Sequence, residues 1–174
     1  MALVMTVLQA LTVAFMIAFI YGQNNNTVSS ECLACICEAS TNCNASTTCF
    51  TPEQSGGFYC GAFHISREYW LDADRPVIKG DKPGSKDSFN NCMLDLVCSA
   101  QTVERYMKKF TSGRRRLNGD CNGNGKIDCD DFFRIHRLGA FNCENPSILN
   151  STAYKKFTTC WDVVQAASLA KSIS

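Results

Sequence analysis

Apolar side chains recur at helical spacing in three stretches of the second half of the chain. From Phe89 to Phe110 they fall every three or four residues, and Asp87 or Ser88 offers a plausible N-cap. We predict one amphipathic helix of about six turns there. A shorter helix is predicted from Asp130 to Leu138, ended by the glycine that follows, and a third from roughly Ser151 to Lys171.

The first half of the chain has a different pattern. From Glu31 to Cys60 the cysteines fall every few residues, which predicts a short helix and loops tied together. Residues 58–66 form a short aromatic run, which we interpret as a strand or hairpin arm. Residues 73–88 are rich in Pro, Gly and charge, and are predicted to form an exposed loop. Together these patterns predict an α+β, mainly helical fold: a small disulfide-rich domain with a short β-hairpin element.

The first 22 residues carry no charged side chain. An apolar run of this kind is either a secretory signal or a membrane anchor. No Lys or Arg flanks it to fix an orientation, and Gly22 supplies a small residue for cleavage. We therefore predict a signal peptide over residues 1–22 and a short N-terminal segment over 23–31. The mature protein is expected to be secreted and extracellular, without a stable membrane anchor.

The cysteine pattern changes the picture most. In SECLACICEASTNC, from residue 30 to 43, Cys32 and Cys35 alone fit either a redox motif or half of a zinc site. No second CxxC pair follows, the chain has only 2 histidines, and a structural zinc site takes about four such ligands in paired spacing. The chain has 12 cysteines, an even and high number. We interpret the cluster as a disulfide clamp, as in other secreted domains.

Charge and sequons agree with passage through the secretory pathway. The sequons are Asn25, Asn44 and Asn150, each followed by the required Ser or Thr, and we predict glycosylation there. The formal net charge of +1 argues against a nucleic-acid partner or bulk attraction to membranes. One domain is expected at this length.

Residues 120–131, DCNGNGKIDCDD, match the calcium loop of EF-hands. Gly125 supplies the sharp turn, but the last position is Asp, which reaches bidentate geometry less easily than Glu. Two cysteines also tie the loop elsewhere. The alternative is a tight Asn/Gly turn whose acids cap the following helix. We expect a structural calcium ion, and no cofactor for catalysis; the candidate ligands are Asp120, Asn122, Asn124, Lys126 (through its carbonyl), Asp128 and Asp131.

Three motifs together resemble a known family. CLACIC, CGAFHISREYW and DCNGNGKIDCDDFFRIHRLGAFNC are similar to the invertebrate-type lysozymes, the destabilase family, over roughly Cys32 to Cys160. The resemblance implies a compact lysozyme-like domain over residues 32–160, with a C-terminal helical tail over 161–174. It also implies six disulfides: Cys32–Cys129, Cys35–Cys160, Cys37–Cys43, Cys49–Cys60, Cys92–Cys98 and Cys121–Cys143.

Family members usually carry two further cysteines, at the positions of Ala73 and Thr102 in this chain. The loss of both together removes one bridge and leaves no unpaired thiol. This consistency strengthens the resemblance.

The resemblance implies cleavage of the β-1,4 bond of peptidoglycan by two carboxyl groups, a Glu acid and an Asp nucleophile or stabiliser. It places Ser40 at the position of the Glu. Glu38 lies about 200° around the helix from Ser40 and is expected to face elsewhere. The Asp position falls on Pro52, and the extra residues in this stretch let Glu53 act as the second carboxylate.

Two histidines lie in the family motifs. His136, in the RIH segment, is a candidate for lining the cleft, and the alternative is a helix histidine that donates to the backbone. His64 stands where the family usually has Gln, and we assign it no role.

Three functional hypotheses follow. The favoured one is a secreted protein that binds bacterial peptidoglycan or a related glycan in innate defence or digestion, with muramidase activity lost or much reduced because of Ser40. The second is an active lysozyme that uses Glu53 and a displaced acid. The third is a calcium-stabilised extracellular interaction protein without glycan turnover.

Overall fold

The computed structural model describes residues 28–51, 57–112 and 119–173. The predicted signal peptide, Asn25, Pro52 and Glu53 lie outside these residues. In chain order the elements are α1 (Ser30–Thr41), β1 (Tyr59–Cys60), β2 (Ile65–Ser66), α2 (Arg67–Asp72), α3 (Ser88–Leu94), α4 (Leu96–Thr111), α5 (Cys129–Leu138), a 3-10 helix (Pro146–Asn150) and α6 (Thr152–Ile173). The expected mainly helical α+β fold is confirmed.

Helix α1 is the short helix expected among the first cysteines. It begins where the Ser29 side chain accepts a hydrogen bond from the Cys32 N–H at 3.2 Å, which satisfies one of the free donors of the first turn. It ends at Asn42, whose backbone is left-handed with φ 55°. Between these ends the buried face of α1, which includes Ile36, joins the core.

The aromatic run forms a hairpin of two short antiparallel strands. Tyr59 pairs with Ser66 and Cys60 with Ile65, and residues 61–64 make the turn. Gly61 begins the turn with φ 71°, and a Cβ atom there would lie 1.9 Å from the Met93 carbonyl oxygen. Only glycine allows this approach of the turn to α3.

The single helix predicted from Phe89 to Phe110 is wrong in one respect. The chain leaves the helical conformation at Asp95, with φ −92° and ψ 120°, so that two helices, α3 and α4, replace one. The Asp95 carboxylate accepts from the Cys98 N–H at 2.7 Å and caps α4, while Cys92 and Cys98 bridge the break. Asp87 is the N-cap residue of α3, but its side chain makes no capping hydrogen bond.

The other two predicted helices are present. Helix α5 ends at Leu138 with Gly139 as its C-cap, and α6 runs without a break through the predicted boundary of the C-terminal tail. Phe133 of α5 stacks on Phe157 of α6 at 4.3 Å between ring centroids. Beyond Trp161 the α6 side chains are largely exposed, including Val163 at 67% and Leu169 at 65%.

The core consists of buried aromatic and aliphatic side chains from the helices and the hairpin. Trp70 of α2 is buried, and its indole N–H donates to the Pro76 carbonyl at 2.7 Å. This hydrogen bond holds the start of the predicted exposed loop 73–88, in which Ala73 and Pro76 are buried and most other residues are exposed. The largest fully buried side chains include Trp70, Phe133, Phe157, Ile36, Ile65 and Met93.

Six disulfides staple this core, and they are the six pairs that the resemblance implies. Three are local, while Cys32–Cys129 and Cys35–Cys160 join α1 to α5 and α6 over separations of 97 and 125 residues. Cys121–Cys143 closes the segment that contains α5. None of the cysteines is free, and Cys32 and Cys35 pair with distant cysteines and not with each other, as expected for a disulfide clamp. Within the described part of the chain, no helix is both long enough and apolar enough to cross a bilayer.

Candidate active site

The candidate site lies where the end of α1 meets the hairpin turn. The Thr41 hydroxyl donates to the Ala62 carbonyl oxygen at 2.7 Å, and the Cys37–Cys43 bridge closes the segment that follows the helix. These contacts fix Ser40, the residue before Thr41, at this corner of the molecule.

Ser40 keeps its hydroxyl within α1. Its Oγ donates to the Ile36 carbonyl oxygen at 2.8 Å, the i to i−4 hydrogen bond typical of a serine within a helix. A serine hydroxyl does not ionise near neutral pH, and this one is already committed as a donor. The residue that the resemblance places at the family's acid position therefore carries no carboxyl group.

Glu38 faces a different surface, as the helical spacing predicts. Its side chain lines a groove of about 540 Å³ between α1 and α6, together with Lys155, Lys156 and Thr159. Ser40 does not line this groove. Glu38 and Ser40 therefore face different surfaces.

Phe50 lies on the other side of the hairpin turn. Its N–H donates to the Tyr59 carbonyl at 2.8 Å, and the Tyr59 N–H donates back at 2.9 Å, so that a single bridge extends the sheet. The Phe50 ring lies 4.7 Å from the His64 ring between centroids. The chain leaves the described residues after Thr51, so the predicted role of Glu53 stays a prediction.

His136 is buried, and it makes the hydrogen bond to the backbone that the sequence analysis gave as the alternative to lining the cleft. Its Nε2 lies 2.9 Å from the Phe63 carbonyl oxygen, which can only accept, so Nε2 carries the proton. Its Nδ1, 3.3 Å from the Tyr69 hydroxyl, then accepts from that group. Burial lowers the pKa of His136 to about 3, and the charge of Arg137 acts in the same direction. The imidazole is neutral near pH 7 and anchors α5 to the hairpin turn.

Two tyrosines that the sequence analysis did not single out complete the packing of this histidine. Tyr69 stacks on Tyr106 with 3.7 Å between ring centroids, and it meets the His136 ring edge-on at 5.5 Å. Burial raises the pKa of Tyr69 well above its usual range, so it stays protonated and able to donate. Its place in the EYW motif was the only sequence signal for this role.

Arg137 is a second residue that sequence reasoning missed. It is exposed, although burial of part of its side chain by neighbouring protein lowers its pKa. His64 is half-buried. Burial is the main cause that lowers its pKa, and the positive charge of Arg137 lowers it further. The signal in the sequence was only that Arg137 follows the histidine of the RIH segment.

The calcium-like loop is closed by its own side chains. Asp131 is fully buried; its Oδ1 accepts from the N–H groups of Cys121 and Asn122, at 2.8 and 3.2 Å, and its Oδ2 from Asp128 at 2.8 Å. The Asp128 side chain accepts in return from the Asp131 N–H, which makes a capping box at the start of α5, and it also accepts from the Asp130 N–H at 3.0 Å. Burial raises the pKa of Asp131, although the three hydrogen bonds lower it.

The remaining candidate ligands also face backbone N–H groups. Asp120 accepts from Asn124 and Gly125 at 3.1 and 2.9 Å, and the Asn124 side chain accepts from Lys126 at 2.8 Å. Among the described residues, no three His, Cys, Asp or Glu side chains are grouped as a metal site. The geometry is that of a capped turn, and calcium binding stays a prediction.

Two of the sequons lie in the described residues, and both asparagines are exposed. Asn44 follows α1, where its side chain accepts from the Ser46 N–H at 2.9 Å, and Asn150 ends the 3-10 helix. Either asparagine is accessible to a glycosyltransferase, and the modification itself stays a prediction.

Comparison with known proteins agrees with the geometry. The destabilase family model matches residues 29–160. The chain is 33% identical to a lysozyme of Magallana gigas over 71% of this chain and 74% of that protein. It is 30% identical to a lysozyme of Meretrix lusoria over 70% of this chain and 83% of that protein.

Solved structures place the fold in the same group. The inhibitor-bound lysozyme from Meretrix lusoria superimposes with a TM-score of 0.53 at 30% identity, covering 70% of this chain and 83% of that chain. The Tapes japonica lysozyme superimposes with a TM-score of 0.52 at 25% identity, covering 79% and 88%. The chain belongs to the destabilase family, the family of the invertebrate-type lysozymes.

Proposed function

We propose that this protein is a secreted, peptidoglycan-binding member of the invertebrate-type lysozymes whose muramidase activity is absent or much reduced. The observation that carries the proposal is the side chain of Ser40. It stands at the family's acid position, and its hydroxyl is hydrogen-bonded to the Ile36 carbonyl.

The loss of activity follows from the chemistry of the glycosidic bond. Glycoside hydrolysis by this route needs one carboxylic acid to protonate the leaving oxygen and a second carboxylate across the bond. General acid catalysis contributes typically about 10²–10⁴-fold in rate. Neither Ser40 nor the neutral, buried His136 can supply that proton near neutral pH, and Glu38 faces α6.

Retention of glycan binding is supported by the surface around the hairpin turn. Phe50 and Tyr59 offer aromatic rings beside His64, and aromatic faces with nearby polar groups suit sugar rings. Helix α1, the hairpin and α5 are held together by the contacts of Thr41 and His136. The loss of one carboxyl group leaves this framework intact.

Secretion is supported by the disulfides. Six bridges in a domain of this size are typical of proteins that fold in an oxidising compartment. Mature protein recovered from the medium of secreting cells, with an N-terminus near Gln23, is the expected result. Recovery only in a membrane pellet with the first 22 residues retained would contradict it.

The function is tested by measuring wall lysis and peptidoglycan pull-down on the same purified protein, with Meretrix lusoria lysozyme as positive control. We expect binding, and lysis several orders of magnitude below the control. Ser40→Glu tests whether an acid at this position restores turnover, and Ser40→Ala is its matched control. Ser40→Ala should bind as the wild type does.

Two results would contradict the proposal. Robust lysis that Glu38→Gln or Glu53→Gln abolishes would establish an active lysozyme with a displaced acid. A wild type that neither binds nor lyses peptidoglycan would favour the calcium-stabilised interaction protein.

A further inference from the structure

A groove between α1 and α6 lies on a different surface from the candidate active site. It has a volume of about 540 Å³, and Glu38 of α1 lines one wall. The other wall is α6, which contributes Lys155, Lys156, Val163 and Val164. The volume is in the range of about 300–1,000 Å³ that is typical of small-molecule sites. We refer to this feature as the α1–α6 groove.

Both walls of the α1–α6 groove are held in place by contacts that do not involve a ligand. The Cys35–Cys160 disulfide joins the two helices, and Cys160 itself lines the groove. Near the end of α1, the Lys156 ammonium donates to the Asn42 side-chain oxygen at 2.7 Å. The groove is therefore already formed, and a ligand does not have to open it.

The α1–α6 groove is charged at one end and apolar at the other. The two lysines lie near the start of α6, whereas Val163 and Val164 lie about two turns later. Val163 is 67% exposed. From Val163 onward, small apolar residues on the same face of α6 are exposed as well: Ala166, Ala167 and Ala170. An exposed apolar surface beside charged groups suits a ligand that has both an apolar and a charged part.

The charges at the polar end determine which head group fits. Two ammonium groups and one carboxylate, that of Glu38, give this end a net positive charge. No salt bridge of the described residues involves either groove lysine or Glu38. The acceptor of Lys156 is the neutral amide of Asn42, which leaves the positive charge uncompensated. A carboxylate or phosphate at this end would form charge-assisted hydrogen bonds with the lysines.

We infer that the α1–α6 groove binds a single-chain amphiphile with an anionic head. The head lies at Lys155 and Lys156, and the alkyl chain lies along Val163. A fatty acid and a monoalkyl phosphate share this chemistry. From Lys155 to Ala170 the axis of a regular helix extends about 22 Å, which leaves room for an extended alkyl chain. Because this groove is separate from the candidate active site, the inference does not depend on peptidoglycan binding.

The test is a calorimetric titration of the full mature protein with decyl compounds below their critical micelle concentrations. They are decanoate, decyl phosphate, decanol and decyltrimethylammonium. We expect at least one anion to bind about tenfold or more tightly than the alcohol, since hydrogen bonds to charged groups are strong, and the cation to bind most weakly. Lengthening the carboxylate should raise its affinity about twofold to fourfold per methylene, where fourfold corresponds to complete burial.

Charge variants test the polar end. Lys155→Gln with Lys156→Gln should weaken binding of the anions about tenfold and leave affinity for decanol unchanged. Glu38→Gln should act in the opposite direction, because it removes the one carboxylate of this end. The matched control is Lys79→Gln with Lys82→Gln, which removes two exposed lysines from the loop between α2 and α3 and should change nothing.

A further variant tests the apolar end. Val163→Asp places a charge where the alkyl chain lies and should abolish binding of every probe. Its control is Val97→Asp on α4, where the side chain is 65% exposed, and this variant should bind as the wild type does. Thermal melts establish that each variant is folded. Val163→Asp should also retain wild-type peptidoglycan pull-down.

Three results would overturn the inference. Equal affinity for anionic, neutral and cationic probes would show that the lysines do not select the head. Unchanged binding in Val163→Asp would place the ligand elsewhere on the molecule. Absence of binding would reject the amphiphile. In that case a wild-type dimer that Val163→Asp dissociates would identify a second copy as the occupant, and sedimentation with anionic vesicles would identify a membrane surface. None of these results decides the proposed function, which the pull-down measures separately.

Discussion

A single buried side chain, His136, shows how packing determines charge in this protein. The imidazole is enclosed by α5, the hairpin turn and Tyr69, and both of its nitrogens are used in neutral hydrogen bonds. Its pKa of about 3 lies far below the ordinary 6.5, chiefly because burial disfavours the charged form. Between these two pH values the unfolded chain binds a proton that the folded protein does not. The free energy of unfolding therefore falls as the pH drops from about 6.5 towards 3.

We expect this histidine to reduce the free energy of unfolding by about 1.4 kcal/mol between about pH 7.5 and 5.5, a range in which ordinary carboxylates stay ionised. His136→Gln, whose amide N–H can still donate to the Phe63 carbonyl, should lose less stability over the same range. Urea unfolding at both pH values measures the difference. His64→Gln is the comparison, because His64 is only half-buried. Equal losses in wild type and His136→Gln would show that His136 is not the linked group.

At the scale of elements, helices could be predicted from the spacing of apolar residues. The helix break that depends on local hydrogen bonding could not. The apolar positions keep helical spacing from Phe89 to Phe110, and the pattern does not reveal the break. Asp95 causes that break because its side chain caps α4, and the Cys92–Cys98 disulfide spans the break. Helix α2, Arg67–Asp72, was not predicted because six residues are too few for a periodic signal.

The same limit applies to the candidate site. Ser40 is assigned to the acid position from the resemblance alone, because its motif aligns without gaps with the family, and this assignment stays a prediction. The contact between the rings of Phe50 and His64 could not be predicted, because only the hairpin and the bridge at Phe50 bring them together. Residues that are distant along the chain leave no mark in a spacing pattern.

The loop before α5 carries the calcium prediction. If residues 120–131 bind calcium, the ion stabilises the folded state by mass action, by about 2.7 kcal/mol at a concentration of 100 times Kd. We expect Tm to be higher in calcium than in chelator. Asp120→Asn, which keeps a side-chain oxygen for the Asn124 or Gly125 N–H but removes a charge, should lose most of this shift. An unchanged wild-type Tm would leave the capped turn as the complete description.

At the scale of the whole molecule, the disulfides hold the domain together around a modest core. Cys35–Cys160 joins two cysteines that are 125 residues apart in the sequence, whereas Cys92–Cys98 joins two that are 6 residues apart. In the chain-entropy description a bridge restricts the unfolded chain more when its loop is longer. The two bridges should therefore contribute differently to stability.

Replacing both cysteines of a bridge by alanine tests this difference. With the other bridges intact, Cys35–Cys160 closes an effective loop of roughly 30 residues. We therefore expect Cys35→Ala with Cys160→Ala to cost about 4 kcal/mol, and Cys92→Ala with Cys98→Ala about 2 kcal/mol. Denaturant unfolding of both variants measures the costs. Non-reducing peptide mapping of the wild type should find all six pairs and no thiol. An equal cost for the two variants, or a free thiol in the wild type, would contradict the arrangement.

The two long bridges have a further consequence for proteolysis of the folded protein. The exposed loop between α2 and α3, around Gly80 and Gly84, is the kind of surface at which proteases cut. A nick there would divide the chain into two fragments, yet Cys32–Cys129 and Cys35–Cys160 both cross that point. The fragments would stay covalently joined and packed on the same core. A nicked molecule would therefore keep its folded structure, and only reduction of the two disulfides would separate the fragments.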